Sequence, residues 1–365
     1  MLAHRLALAV PYDMNVSGTI IFANRLAVQL IKMGYQVMVV TLGGYTLHSE
    51  DFNLTFDRSE LLFQWVEDHK GSLDILFWCG FFLSKKDRIV QVKLSERLTR
   101  SSAIRISFLW ESTGNTHPLP EEELVNVIGE FAKSIVALNE SHVQHLLKLG
   151  IRTSQIQLLS TGVDTRFEFQ VPTPATKALL RTQLNWPLSE TIFLILSRLT
   201  KRKRISEVID LWDKYLCGRH GRLVIVGSGF GAVDSTEVQV MEKIHRCKGI
   251  QFIRYESSMV RRSFYQAADC FISAGSLEGE PTTLVEAMAC GLPTIASRGK
   301  WHSRLVKQDV TGFMFSFSQP YSFSEPLKTL IEDPILRAQM GANARESAVK
   351  TRDIQTVSEQ FALIL

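Results

Sequence analysis

The sequence predicts an α/β protein of two Rossmann-like, doubly wound parallel-sheet domains facing a cleft. Three observations lead there. The chain has 365 residues, which suits two domains of ordinary size. Apolar runs of strand length alternate with stretches of helical periodicity along the whole chain. A break rich in proline and small polar residues, VPTPATKA at 171–178, separates two sets of that alternation.

The elements follow in order. LALAV (6–10) is the first strand and stops at Pro11. The loop PYDMNVSGT leads to a helix from about 20 to 33, ended by Gly34. QVMVVT, DILFWC, IRISFLW and SIVALN continue the strand pattern. The second set is TIFLILS, RLVIVG, IQFIRY, DCFISA and LPTIAS, with helices at 205–216 and 259–268. Residues 334–365 read as two helices. The expected domains are 1–170 on the N-terminal side and 171–345 on the C-terminal side. A final helix, 346–365, is drawn packing back on the first domain.

Hydrophobic residues make up 45% of the chain, enough for two cores. A net charge of +4 is too small to argue for a nucleic-acid partner, and none is expected. Cys79, Cys217, Cys247, Cys270 and Cys290 are scattered, with no C-x-x-C, and read as buried thiols in a reducing compartment. No apolar run is long enough to span a bilayer, and LALAV is a strand rather than a signal peptide. The expected location is cytoplasmic, with attachment to a membrane surface left open. The basic segment 81–100 suits a membrane contact or an anionic acceptor. The plainer reading, and the one preferred, is an exposed crossover helix whose aromatic start, Phe81 and Phe82, is buried.

The stretch SLEGEPTTLVEAMACGLPTIAS (276–297) carries the chemistry. DCFISA is a strand and GSLEGEP its exit loop. Pro281 suits a first helical turn, TTLVEAMAC is the helix, and Gly291 ends it. Glu278 and Gly279 lie at the helix entrance. Glu286 lies just over one turn inside, on the face of Thr282 and Thr283. Free amides and the helix dipole at such an entrance favour a bound phosphate. Two carboxylates beside a phosphate make sense when they accept hydrogen bonds from hydroxyls. A ligand with phosphate in the middle and polyols at both ends, a nucleotide-sugar, meets both needs. Taken alone, Glu286 is explained by helix electrostatics; the pair with its glycine loop is not.

This stretch resembles the E-x7-E signature of retaining glycosyltransferases of family four, which have the two-domain GT-B fold. Glu278, Gly279, Pro281, Glu286, Ala287, Met288, Ala289, Gly291 and Pro293 fit that pattern. Glu280 departs from it, standing where the family has an aromatic or apolar residue. VSGTIIFANRLAVQLIKMGYQVMVVT, the segment ending STGVDTRF, SRLTKRKRISEVIDLW, LVIVGSGFG and VTGFMF resemble other family segments in order. Arg204 replaces the glycine of the family's R-L-x-x-x-K-G. The resemblance implies sugar transfer from a nucleotide-diphosphate sugar to a hydroxyl of a glycan, lipid-linked or small-molecule acceptor. It implies Glu278, Arg198 and Lys203 as catalytic groups. Donor ligands would be Gly18, Arg198, Lys203, Gly279, Glu280, Thr282, Thr283 and Glu286, with Glu278 at the sugar and Glu286 at the ribose. The second domain would hold the donor.

Arg198 and Lys203 follow the strand TIFLILS at its carboxyl end. Fixed cations there stabilise the charge that grows on a leaving diphosphate. With no D-x-D to clamp a metal, neither metal nor cofactor is expected. Lys201 and Arg202 read as surface residues. On the acceptor side the candidates are Glu111 and His117, with the alternative that neither acts. Three rivals remain: a nucleotide-sugar epimerase of the same fold, a transferase-like protein without activity, and a dehydrogenase. The last rests on VGSGFGA, which fits a dinucleotide fingerprint but starts at Gly227 rather than after the first strand.

Overall fold

The computed structural model describes residues 4–11, 18–42, 52–82, 84–102, 104–110, 122–216, 220–228, 236–255, 260–275, 280–299 and 301–365. The chain divides into two compact units, residues 1–162 with 354–365, and residues 163–353.

The first unit holds β1 (Arg5–Val10), β2 (Gln36–Leu42), β3 (Asn53–Phe56), β4 (Ile75–Trp78), β5 (Arg105–Trp110), β6 (Ser134–Ala137) and β7 (Ile156–Leu158). Their order is β3-β2-β1-β4-β5-β6-β7, parallel throughout. Helices α1 (Gly18–Lys32), α2 (Ser59–Asp68), α3 (Lys85–Ser102), α4 (Glu122–Phe131) and α5 (Glu140–Lys148) occupy the connections. Alternate residues of a strand face opposite sides of the sheet. Leu6, Leu8 and Val10 accordingly pack with Phe22, Leu26 and Leu30 of α1, whereas Ala7 and Ala9 join the opposite core.

The second unit holds β8 (Thr191–Leu196), β9 (Gly221–Gly227), β10 (Ile250–Arg254), β11 (Cys270–Ser273), β12 (Thr294–Ser297) and β13 (Gly312–Phe315). Their order is β10-β9-β8-β11-β12-β13, again parallel. Its helices are α6 (Pro174–Gln183), α7 (Ile205–Leu216), α8 (Thr236–Arg246), α9 (Arg261–Ala267), α10 (Thr282–Ala289), α11 (His302–Leu305), α12 (Tyr321–Glu332) and α13 (Pro334–Arg352). β8 is buried at every position, as a central parallel strand covered on both faces must be. α7 buries Ile205, Val208, Ile209, Trp212 and Leu216, one stripe at helical spacing. The last helix, α14 (Ile354–Ile364), belongs to the first unit.

Three expectations change. The first unit ends at 162 rather than 170, and the returning segment starts at 354 rather than 346, because α13 runs unbroken to Arg352. VPTPATKA, which reads as a linker or domain edge, lies inside the second unit and starts α6. Thr173 caps α6 by accepting the Thr176 N–H, and Pro174 fills the first helical turn, where a missing N–H costs nothing. The edge strands β3, β7 and β13 were not among the expected strands.

Candidate functional site

In the second unit the strand order reverses between β8 and β11. Ligands of open α/β sheets bind beyond the carboxyl ends of the strands at such a point. Two segments leave the sheet there, 197–204 after β8 and 274–281 after β11. These are the two segments to which the sequence assigns the donor.

The exit from β8 is tightly built. Ser197 N–H donates to Val226, and Leu199 N–H to Ser228. A Cβ on Gly227 would lie 2.1 Å from the Ser197 carbonyl oxygen, so only glycine admits this approach. Gly227 therefore serves the β8–β9 contact. It also ends the second strand of its unit rather than the first, which removes the positional basis of a dinucleotide fingerprint. Gly229 and Ala232, the rest of that pattern, lie outside the described residues. Residues 201–203 form a short 3₁₀ turn, and Arg204 takes the left-handed conformation, with φ 54° and ψ 30°. Lys201 is exposed, while Arg198, Arg202 and Lys203 are half-buried. Lys201 is thus the surface residue expected, and Arg202 is less exposed than expected.

The exit from β11 leads into α10. Pro281 sits at the N-cap position, one residue before the helix. Thr282 N–H donates to the Glu280 carbonyl, and Leu284 N–H to that of Pro281. Thr282 and Thr283 are half-buried at this end, whereas residues 284–289 are all buried. Gly291, at φ 77°, closes the helix. Leu292 N–H returns to Ala287 and Gly291 N–H to Met288, a Schellman ending.

Glu286 does not share the half-open face of the threonines. It is fully enclosed. Tyr265 Oη donates to its Oε2 at 2.8 Å, and Arg261 Nη2 stands 3.4 Å from Oε1. Burial opposes the Arg261 cation, but Glu286 together with Tyr265, Tyr255 and Glu168 outweighs that and holds its pKa above the usual value. Burial, and then the same carboxylate, push the Tyr265 hydroxyl well above the tyrosine range. Both Glu286 carboxylate oxygens have protein partners in this conformation. Glu280 is also turned to a protein partner: its Oε1 accepts from Arg352 Nε at 2.9 Å.

Glu278 and Gly279 lie outside the described residues, as do Glu111 and His117. Gly18 opens α1 in the first unit, after β1. In the segment 81–100, Phe81 and Phe82 are in the core, Arg88 is buried, and Arg97 and Arg100 pair with Glu67 and Glu96. Residues 85–102 form a crossover helix of the first unit. Among the described residues, no three His, Cys, Asp or Glu side chains cluster as a metal site, and no helix is long and apolar enough to cross a membrane.

Sequence reasoning missed Arg261, Tyr265 and His302. His302 is buried, with Nδ1 2.8 Å from the Ser297 carbonyl and Nε2 2.9 Å from Ser273 Oγ. A carbonyl only accepts, so Nδ1 carries a proton, and Nε2 pairs with the Ser273 hydroxyl. The imidazole thereby ties the ends of β11 and β12 together. A histidine in WHSRL carries no sequence signal for that.

The chain is similar to known proteins over part of its length. Residues 176–347 match the family model described as Glycosyl transferases group 1. The matched segment lies within the second unit. N-acetyl-alpha-D-glucosaminyl L-malate synthase of Bacillus anthracis is 22% identical over 230 residues, covering 63% of this chain and 58% of that protein. A GDP-mannose-dependent monoacylated alpha-(1-6)-phosphatidylinositol monomannoside mannosyltransferase of Corynebacterium glutamicum is 28% identical over 216 residues, covering 57% and 55%. The chain thus spans little more than half the length of these relatives. The structure of Anabaena Alr3699/HepE in complex with UDP-glucose superposes with a TM-score of 0.80 at 17% identity, covering 98% of both chains. The fold is the GT-B arrangement of two parallel-sheet α/β domains.

Proposed function

We infer that this protein is a retaining glycosyltransferase that moves a sugar from a nucleotide-diphosphate sugar to an acceptor hydroxyl without a metal. One observation carries this. Within the segment matching the group 1 family, the Arg198–Lys203 exit and the α10 entrance both leave the sheet where its strand order reverses. The named relatives act with donors or acceptors of the expected kinds, and UDP-glucose is bound in the HepE structure. Donor base, sugar and acceptor vary among them.

In the proposed reaction the anomeric C–O bond to the diphosphate breaks and a bond to the acceptor oxygen forms on the same face. The configuration is kept. Arg198 and Lys203 balance the charge that develops on the leaving diphosphate. A leaving phosphate oxygen takes the acceptor proton, so little side-chain acid or base work is needed. Glu278 orients hydroxyls of the transferred sugar, and Thr282 and Thr283 line the phosphate end. Glu286 supports the ribose end indirectly, by holding Arg261 and Tyr265. Acceptor recognition falls to the first unit.

Turnover of UDP-, GDP- and ADP-sugars by point variants tests this. Lys203→Ala and Arg198→Ala should each lower turnover by about two to three powers of ten, as for other preorganised charge-stabilising groups. Exposed Lys201→Ala should be nearly silent, and EDTA should leave the rate unchanged. Equal losses in Lys201→Ala and Lys203→Ala, or restoration by magnesium after EDTA, would refute the assignment.

A further inference from the structure

Glu280 stands at the α10 entrance with a side chain only 7% exposed. Its two polar ends are used in opposite directions. The backbone carbonyl accepts Thr282 N–H at 2.9 Å, the bond that starts α10. The carboxylate accepts Arg352 Nε at 2.9 Å. Arg352 is the last residue of α13 and is itself 19% exposed in its side chain. Its carbonyl accepts Val163 N–H at 2.9 Å, and the next residue, Asp353, bridges to Val163. Asp353 also accepts from Thr165 Oγ1. The contacts therefore run without a gap from the first turn of α10 to the two points where the chain enters and leaves the second unit.

We propose that the Glu280–Arg352 pair is a positioning device for the donor-binding turn rather than a donor ligand. This rests on the assignment of Thr282 and Thr283 to the donor. Helix α10 starts without a side-chain cap, so its first turn depends on the Glu280 and Pro281 carbonyls. A carboxylate this enclosed must keep its cation or move to water. If it moves, it carries the Glu280 carbonyl with it and releases Thr282. A nucleotide-sugar phosphate bound at that turn would then meet misplaced amides. The aromatic or apolar residue of the E-x7-E pattern could not make this ion pair. A carboxylate at position 280 is therefore matched to an arginine at 352, and the two should be read together in any related chain.

The test uses the full chain, with Arg352→Gln, Glu280→Gln, the double variant and Arg352→Lys. Hydrogen exchange is followed in the peptide covering residues 280–286, and UDP, GDP and ADP affinities are measured by calorimetry. Each Gln variant should speed exchange of the first-turn amides by about tenfold or more, since local opening sets that rate. Exchange at the Schellman end of α10 should not change. Affinity for the nucleotide that wild type binds should fall by a similar factor. The double variant should be no worse than either single one, because both remove one interaction. Arg352→Lys, which keeps the cation, should retain most of the protection. Unchanged first-turn exchange, or additive losses in the double variant, would overturn the proposal. A wild-type protein that binds none of the three nucleotides would overturn the donor assignment instead, while the exchange data still decide whether the pair holds the turn.

Discussion

Arg204 sits in a left-handed conformation that an L-residue adopts at a cost of about 1–2 kcal/mol. The resembled family has glycine there, which bears no such cost. Two contacts offset the strain. The guanidinium lies 3.5 Å from the centroid of the Phe317 ring, and its Nε donates to Glu207 at 3.1 Å. A partly exposed cation–π contact is worth about 0.5–1 kcal/mol, and a surface ion pair about 0–1 kcal/mol. Arg204→Gly should therefore be close to neutral, trading contacts for a relaxed backbone. Arg204→Ala keeps the strain and loses both contacts, so it should destabilise by about 1–2 kcal/mol. Thermal unfolding of the two variants gives the order; an alanine variant as stable as the glycine one would show that the strain is not held. The sequence marks the departure from glycine, but Phe317 is 113 positions away and nothing local announces it. The same limit applies to Glu286. Its spacing from Glu278 is legible, whereas Arg261 and Tyr265, which turn it inward, come from a different helix.

Helix α6 is fastened to the sheet through one carboxylate. Asp269, just before β11, accepts from Ile192 N–H at 2.7 Å, Lys177 Nζ at 2.6 Å and Arg181 Nη2. Arg181 also donates to the Ala267 carbonyl. Burial raises the Asp269 pKa, but Lys177 and Arg181 draw it down further, and the net shift is downward. A folded pKa below the unfolded one gives stability above the unfolded value, lost as pH falls through the folded one. The second unit should therefore weaken on acidification below about pH 4. Asp269→Asn leaves the buried Arg181 and the half-buried Lys177 without their counter-charge and should cost about 3–5 kcal/mol at pH 7. It should also flatten this acid limb. Urea midpoints at pH 7, at pH 4 and at about pH 2.5, below the unfolded carboxylate value, check both; an unchanged acid slope would exclude Asp269 as its source. At this scale the central strands were legible because each is a continuous apolar run. The edges were not: NLTF and IQL are short and half-buried, so neither length nor alternation distinguishes them from loop. The start of α6 reads as a break because a threonine cap and a proline at a helix start use the same residues as a linker.

The chain leaves the first unit at residue 162 and returns to it at 354, so that unit is completed only by its most distant segment. Helix α14 is more than a surface addition. Ile354, Val357, Phe361 and Leu365 are buried in the same cluster as Leu8, Phe22, Leu26 and Phe77. Phe361 is fully enclosed and meets Phe77 of β4 edge-on, with ring centroids 4.8 Å apart. At the crossing, a Cβ on Gly162 would fall 2.6 Å from Ile354 Cδ1 and 2.9 Å from its Cα, so the outgoing chain passes directly against the returning helix. Phe361→Ala removes a ring from a packed core and should cost about 3–5 kcal/mol. The cost should be confined to the first unit, because none of these partners belongs to residues 163–353. Hydrogen exchange by peptide should then rise across β1, β4 and α1 while β8, β11 and α10 stay protected. Calorimetry should show one transition moved down and one kept in place. Nucleotide binding, assigned to the second unit, should survive at temperatures where the first has loosened. A uniform loss of protection through both sheets would instead mean that the two units unfold as one, and that the ends of this chain hold the whole molecule rather than half of it.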